Sequence, residues 1–340
     1  MPTEIEWTDE TLNAVLGCSD ASDGCKFCYA KKLAATRLKH LPQYKGLAVV
    51  TDNGNYQWTG RTRLVKEQLD KLFTWRKPRK IFLTSMGDPF HKNVSVEDID
   101  LLFTYMRAVP HHTFQLLTKR PERMLEYLTD PEMPSRVEEC GENLAGEIGA
   151  CHINEDGPWP CKNIWLGTSV ENQKVAEERI PILVRVPAAI RFISFEPLLE
   201  NIDLGLDPDG TGNQWGLLTC PRCRGYGMHI TGHTEGGHEL GKPCPGCNGT
   251  GVALDWGIIG GESGDHARPF DLAWARSLVS QLQQSSVATF VKQLGAYPVD
   301  SRLGWPMSPT TRLDNITGKG GDMAKWPQEL RVREFPEVAV

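Results

Sequence analysis

Seven of the ten cysteines stand in two tight sets. Cys18, Cys25 and Cys28 form C-x6-C-x2-C among Gly, Ser and Asp, while Cys220, Cys223, Cys244 and Cys247 form two copies of C-x-x-C-x-G-x-G, CPRCRGYG and CPGCNGTG. Cysteines grouped this closely in a chain without export signals point to metal rather than to disulfides. Three thiolates can hold three irons of a four-iron cluster and leave the fourth iron open for a substrate or cofactor. The first set could also belong to a zinc site, although zinc usually takes four ligands and no fourth is adjacent. The second set supplies a full tetrahedron. Twenty residues separate Cys223 from Cys244, a spacing that suits a four-cysteine structural zinc, and the glycines let the backbone turn sharply around the ion. His229, His233 and His238 lie between the knuckles and are expected as loop residues, because the four thiolates already complete the site. Cys140, Cys151 and Cys161 are irregularly spaced and read as unpaired thiols, with a further metal site including His152 as the alternative.

The elements that must carry these cysteines follow from the pattern of the 340 residues. Near-continuous apolar runs recur at 81–88, 114–120, 164–170, 191–199, 256–264 and 289–295, with a weaker one at 13–18. Such runs suit strands buried on both faces of a parallel sheet. Helical patterns lie between them at 62–75, after Ser95, from Pro121, and at 172–185 and 271–284. Ser95 caps a first turn holding Glu97 and Asp98, and Pro121 suits a first helical position. Strand and helix alternating about seven times predict an α/β fold, a partial or complete (β/α) barrel with a small inserted lobe. An open doubly wound sheet is the alternative. The expected domains are a barrel over 1–204 and 253–300, a zinc-knuckle insertion over 205–252 and a C-terminal extension over 301–340. Residues 131–162, rich in Glu and Gly, also read as an interruption of the βα rhythm. No G-x-G-x-x-G or Walker motif occurs, which removes the main support for dinucleotide or P-loop chemistry.

Hydrophobic residues make up 40% of the chain and charged residues 24%, the range of a globular protein. MPTEIEWTDE is acidic without an apolar run, and no stretch nears the ~20 apolar residues of a membrane span, so a cytoplasmic protein is expected. The net charge of -6 and pI near 5.9 speak against a broad basic surface for nonspecific DNA binding. RKPRK at 76–80 and KRPER at 119–123 remain as local basic runs.

The first cysteine set, with Phe27 just before its last cysteine, resembles the signature of the radical S-adenosylmethionine (SAM) superfamily, whose common form is C-x3-C-x2-C. The longer first spacer departs from that form. More closely, the chain resembles a phage-associated subgroup of unknown function through IEWTDETLNAVLGC, GCKFCYA, SMGDPFH, LLTKRPERM, WLGTSVENQ, RFISFEPLL, DWGIIGGESG and VKQLG. The resemblance implies a four-iron, four-sulfur cluster on Cys18, Cys25 and Cys28, whose open iron chelates SAM, and reductive cleavage of SAM to a 5′-deoxyadenosyl radical. An electron donor such as flavodoxin or ferredoxin is implied as a partner. Ser85, Gly87 and Asp88 lie where the superfamily contacts the SAM amino group, with MGD standing in place of the usual GGE. Ser169, Glu171, Glu196, Gly260, Gly261 and Glu262 are further strand-end candidates for holding SAM; turns and surface or capping carboxylates are the plainer explanation. The second set resembles the zinc knuckles of the DnaJ chaperones, from which only the metal site is carried over.

A nucleobase in phage DNA, or a nucleotide precursor, is the expected substrate. Lys119, Arg120 and Arg123 are the candidates for holding phosphate, and Tyr29, Trp58, Phe90 and Trp305 for stacking on a base. The zinc lobe is expected near the barrel mouth, where it could hold a strand while a base is flipped out. The alternatives are a non-enzymatic zinc-dependent nucleic-acid-binding protein, an electron-transfer protein, and a radical SAM enzyme acting on a peptide or small molecule.

Overall fold

The computed structural model describes residues 3, 5–148, 159–206, 215–233, 239–302, 312–313 and 316–337, without the side chains of 147–148, 229–233 and 239–240. Seven strands form the main sheet: β1 (Glu10–Leu12), β2 (Lys80–Leu83), β3 (Thr113–Thr118), β4 (Ile164–Ser169), β5 (Ile190–Phe195), β6 (Trp256–Gly260) and β7 (Ala288–Gln293). Their order in the sheet is their order in the chain. The pairings β1–β2, β2–β3, β3–β4, β5–β6 and β6–β7 are parallel. Strands added in sequence without a reversal of order give the curled sheet of a (β/α) barrel, whereas a doubly wound sheet reverses direction part-way. The fold is α/β, with a parallel sheet of the partial-barrel kind. No helix among the described residues is long and apolar enough to cross a membrane.

The chain divides into two compact units, one of residues 1–169 and 187–190, the other of 170–186 and 191–340. In the first unit β2, β3 and β4 carry Ile81, Leu83, Phe114, Leu116 and Leu166 into a closed core. Helix α1 (Tyr29–Ala35) follows the first cysteine set, and α2 (Val96–Ala108) starts where Ser95 Oγ accepts the Asp98 amide at 3.1 Å. Pro121 opens α3 (Pro121–Thr129). Residues 133–148, placed in an interruption by composition, form the sixteen-residue helix α4 (Met133–Ile148). It packs on α2: Thr104 Oγ1 donates to Val137 O at 3.1 Å, and Arg136 pairs with Asp100 at 2.9 Å.

The first strand differs from expectation. Residues 13–18 leave the sheet, and β1 lies upstream at Glu10–Leu12, where only Leu12 is buried. Val15–Leu16 instead pairs antiparallel with Arg63–Leu64. The helical pattern over 62–75 resolves into that short strand, a helix at Lys66–Asp70 and a single turn of 3-10 helix.

In the second unit α5 (Gln173–Leu183) is capped by Asn172 and α6 (Leu272–Gln284) by Asp271. Trp256 packs at a tilt against Phe192 and edge-to-face against Phe290 in the core. The C-terminal extension runs along β7: the Val291 amide donates to Val332 O and the Glu334 amide to Thr289 O, both at 2.9 Å. That covers an edge that would otherwise expose a row of unpaired backbone groups.

Candidate functional site

The C-terminal end of β2 is where the first unit departs from ordinary backbone. Thr84 has φ 73°, a left-handed conformation that a β-branched residue seldom adopts, and its Oγ1 is buried without a hydrogen-bond partner. Ser85 Oγ donates to Asn13 Oδ1 at 2.9 Å, and the Met86 amide donates to the same oxygen at 3.0 Å. Gly17 then bridges to Gly87, its amide donating to Met86 O at 3.1 Å. A Cβ on Gly87 would stand 2.4 Å from Val15 O, and one on Gly17 2.1 Å from Arg61 O. Gly87 therefore lets the segment leading to Cys18 lie directly on the loop after β2, while Gly17 lets the same segment pass close to Arg61.

Asp88 follows on that loop and is buried. Its Oδ1 accepts from Thr118 Oγ1 at 2.7 Å and the Phe90 amide at 2.9 Å; its Oδ2 accepts from Arg120 Nη1 at 2.6 Å and the Lys119 amide at 3.2 Å. Arg120 also donates to Ser19 O at 2.9 Å, Ser19 Oγ at 3.0 Å and Cys18 Sγ at 3.6 Å. His91 sits beside Ser19, its Nε2 2.9 Å from Ser19 Oγ. Serine, histidine and aspartate in proximity suggest a nucleophile with a base, but the hydrogen bonding argues against it. The Asn93 amide donates to His91 Nδ1 at 3.1 Å, so the ring proton is on Nε2 and His91 is a donor to Ser19. Burial and the nearby Arg120 lower the His91 pKa to about 4, which keeps the ring neutral.

The three cysteines occupy the loop and turn leading into α1. Cys25 is buried, and Cys18 and Cys28 are half-buried. The Ala21 amide donates to Cys25 Sγ at 3.4 Å. Burial pushes the Cys18 thiol up to about 12, with Asp88 adding to the rise and Arg120 opposing it, and burial also raises Cys28. A cation bound there would have to displace the protons that burial favours on Cys18 and Cys28. The donor set is sulfur alone, which suits a soft metal. In a four-iron cluster three cysteines can each ligate a different iron, so three thiolates suffice without a fourth. The residues present fit such a cluster.

The second cysteine set is a single-ion group. The sulfurs of Cys220, Cys223, Cys244 and Cys247 are buried and all lie within 4.8 Å of one another. The two knuckles mirror each other. The Gly227 amide donates to Cys223 Sγ at 3.3 Å and the Gly251 amide to Cys247 Sγ at 3.2 Å. The Cys220 amide donates to Gly251 O, and the Cys244 amide to Gly227 O, each at 2.8 Å. Burial raises Cys244 and pushes Cys247 up to about 12. Burial acts the same way on Cys223, but hydrogen bonds from Cys247 and the Gly227 amide bring it below its ordinary value. Four convergent sulfurs with amide donors behind them can hold a metal such as zinc.

Residues 2–330 match a family described as "Protein of unknown function (DUF5131)". The chain belongs to that family. No curated protein and no solved structure matches it.

The lobe of this DUF5131 chain is not at the strand ends that carry Glu196 and Gly260–Glu262. Arg191, at the start of β5, donates to Gly246 O at 3.4 Å and through its amide to Asp255, the residue before β6. Thr219 pairs with Val252, and the Ala253 amide donates to Leu218 O at 2.9 Å. The lobe therefore stands at the N-terminal ends of β5 and β6, opposite the expected mouth. After β5 the chain must return across the sheet to enter the parallel strand β6, and the insertion falls at the end of that return.

The other candidates in the DUF5131 chain are largely committed to protein partners. Ser169 and Glu171 are buried, and Glu171 pairs with Arg179 at 3.4 Å. Glu196 pairs with Lys292 at 3.1 Å, and Glu262 receives Arg268 through two side-chain bonds at 2.7 and 2.9 Å. A Cβ on Gly260 would stand 2.5 Å from Glu196 Oε1, and one on Gly261 2.7 Å from Leu294 O, so close packing accounts for both glycines. Arg123 donates to His91 O and to Val94 O. Neither Arg120 nor Arg123 is turned out to meet a phosphate, and Lys119 is likewise engaged. Phe90 and Trp58 are core residues, while the Tyr29 ring is 51% exposed beside the cysteines, its hydroxyl donating to Ser85 O at 3.0 Å. Trp305, Cys151, His152 and His238 lie outside the described residues. The Arg120 hub was not legible in the sequence as part of the cysteine site; the one available signal was its position just past the end of a strand.

Proposed function

We propose that this protein is a radical SAM enzyme whose four-iron cluster is held by Cys18, Cys25 and Cys28. The observation that carries the reading is the all-sulfur loop laid on the β2 loop through Gly17 and Gly87, at the strand ends where (β/α) folds keep their active sites. When bound, the cluster supplies the electron that cleaves SAM to a 5′-deoxyadenosyl radical. The protein's part is to position and to exclude water. Ser85, on the loop against which the cysteines rest, is the polar side chain for the SAM amino group, while Asp88 is taken up by Thr118 and Arg120. Cys220, Cys223, Cys244 and Cys247 hold a structural zinc beside the N-terminal ends of β5 and β6. For a nucleobase substrate, the exposed ring of Tyr29 remains the stacking candidate, since Trp58 and Phe90 are buried.

Anaerobic reconstitution with iron, sulfide, SAM and a reductant tests the reading. The protein should turn brown and release 5′-deoxyadenosine, and Cys25→Ala should do neither while keeping its fold. Full iron content and SAM cleavage in that variant would overturn the assignment. Nucleosides from DNA and RNA of cells with and without the active gene, compared by mass and chromatography, test the substrate class.

A further inference from the structure

Arg120 is an expected phosphate binder that the fold turns inward. Its side chain is 17% exposed, and its guanidinium is filled by four acceptors, three of them on Cys18 and Ser19 and the fourth on Asp88. Of the three cysteines in the loop, Cys18 is the one that receives a side-chain donor among the described residues. The hub joins three separate stretches: the cysteine loop, the loop after β2 and the end of β3, where Thr118 steadies the other oxygen of Asp88.

Resting on the radical SAM reading, we propose that Arg120 is a positioning residue of the cluster site, fixing the Cys18 end of the loop and setting the cluster's reduction potential jointly with Asp88. The physical basis is charge. Reduction adds an electron to a cluster ligated by thiolates, so a cation and N–H donors at a ligating sulfur favour the reduced state. In the native pair the Asp88 carboxylate offsets much of the Arg120 charge, and the hydrogen bond to Cys18 Sγ leaves a net bias toward reduction. Removing Arg120 exposes the sulfur to an uncompensated carboxylate. Neutralising Asp88 leaves an uncompensated guanidinium. The two changes must act in opposite directions, which loosened packing alone does not produce.

The test is a redox titration of the reconstituted full chain, followed by electron paramagnetic resonance without SAM, with iron content measured in parallel. Arg120→Gln should shift the midpoint to more negative potential, Asp88→Asn should shift it to more positive potential, and Arg120→Lys should fall between wild type and Arg120→Gln. If Arg120→Gln does not fold, the Asp88→Asn and Arg120→Lys shifts decide. Shifts of the same sign in the Gln and Asn variants, or unchanged potentials, refute the role of Arg120 while leaving the radical SAM reading intact. If the wild-type chain takes up no iron, the reading itself fails and the proposal with it.

Discussion

Changing Gly87 to alanine tests whether the cysteine loop depends on backbone contact. The added Cβ would lie 2.4 Å from Val15 O, 2.9 Å from Val15 C and 3.2 Å from Gly17 O. All three are backbone atoms, so no side chain can swing aside; the segment 15–17 must move off the β2 loop. Overpacking of this kind costs about 1–3 kcal/mol. In a domain of 150–250 residues that corresponds to a fall of about 2–12 °C in Tm. Cys18 follows directly on the displaced segment, so iron retained after reconstitution should fall as well. Gly141→Ala is the control. This glycine is interior to α4, its Cβ would meet nothing nearer than Thr104 Cγ2 at 3.8 Å, and the change should stabilise by about 0.5–1 kcal/mol. Thermal melts and iron assays on both variants decide the matter. A Gly87→Ala protein with wild-type Tm and iron content would refute the close-approach argument and return Gly87 to a role in ligand contact.

Cys247→Ser should abolish zinc binding while leaving the far-UV signal of the sheet largely unchanged; metal analysis showing full zinc would mean the four sulfurs do not act together. Thr84→Gly relieves the left-handed strain and should stabilise by about 0.5–2 kcal/mol in urea unfolding, net of the added unfolded-state freedom of glycine. Burial alone would raise Asp300, but hydrogen bonds from Arg276 and the Arg302 amide hold its carboxyl below the ordinary value of 3.8. A depressed carboxylate adds stability above its unfolded pKa and loses it as pH falls through the folded one. Arg276→Leu should therefore cost about 3 kcal/mol at pH 7, and that cost should shrink in urea titrations as pH falls below 3.8 and on through the depressed folded pKa of Asp300.

Much of the scaffold was readable because burial on both faces of a strand writes itself as an unbroken apolar run. The strands at 80–83, 113–118, 164–169, 190–195, 256–260 and 288–293 all fall within or beside such runs. The first strand escaped because Glu10 and Thr11 are polar and Leu12 alone is buried. Ser95 and Pro121 declared helix starts through local chemistry that needs no tertiary partner. The lobe's four cysteines were legible from spacing, but the strand ends beside which the lobe stands were not, since that depends on the path the chain takes back across the sheet. Arg120 in KRPER is written like a solvated charge. Only the fold brings it against Asp88, thirty-two residues upstream.

The lobe's entry and exit are paired, Thr219 with Val252, so its two ends meet as neighbours in a ladder. Paired residues of this kind lie about 5 Å apart between α-carbons, a gap that a tight turn spans. Everything between them, both knuckles and their hairpin, is a cassette that can be lifted out or exchanged without pulling β5 and β6 apart. Within the cassette each knuckle's first cysteine amide is held by the other knuckle's last glycine, so half of it has no means of closing. Insertion and loss of such a piece can only be all or none.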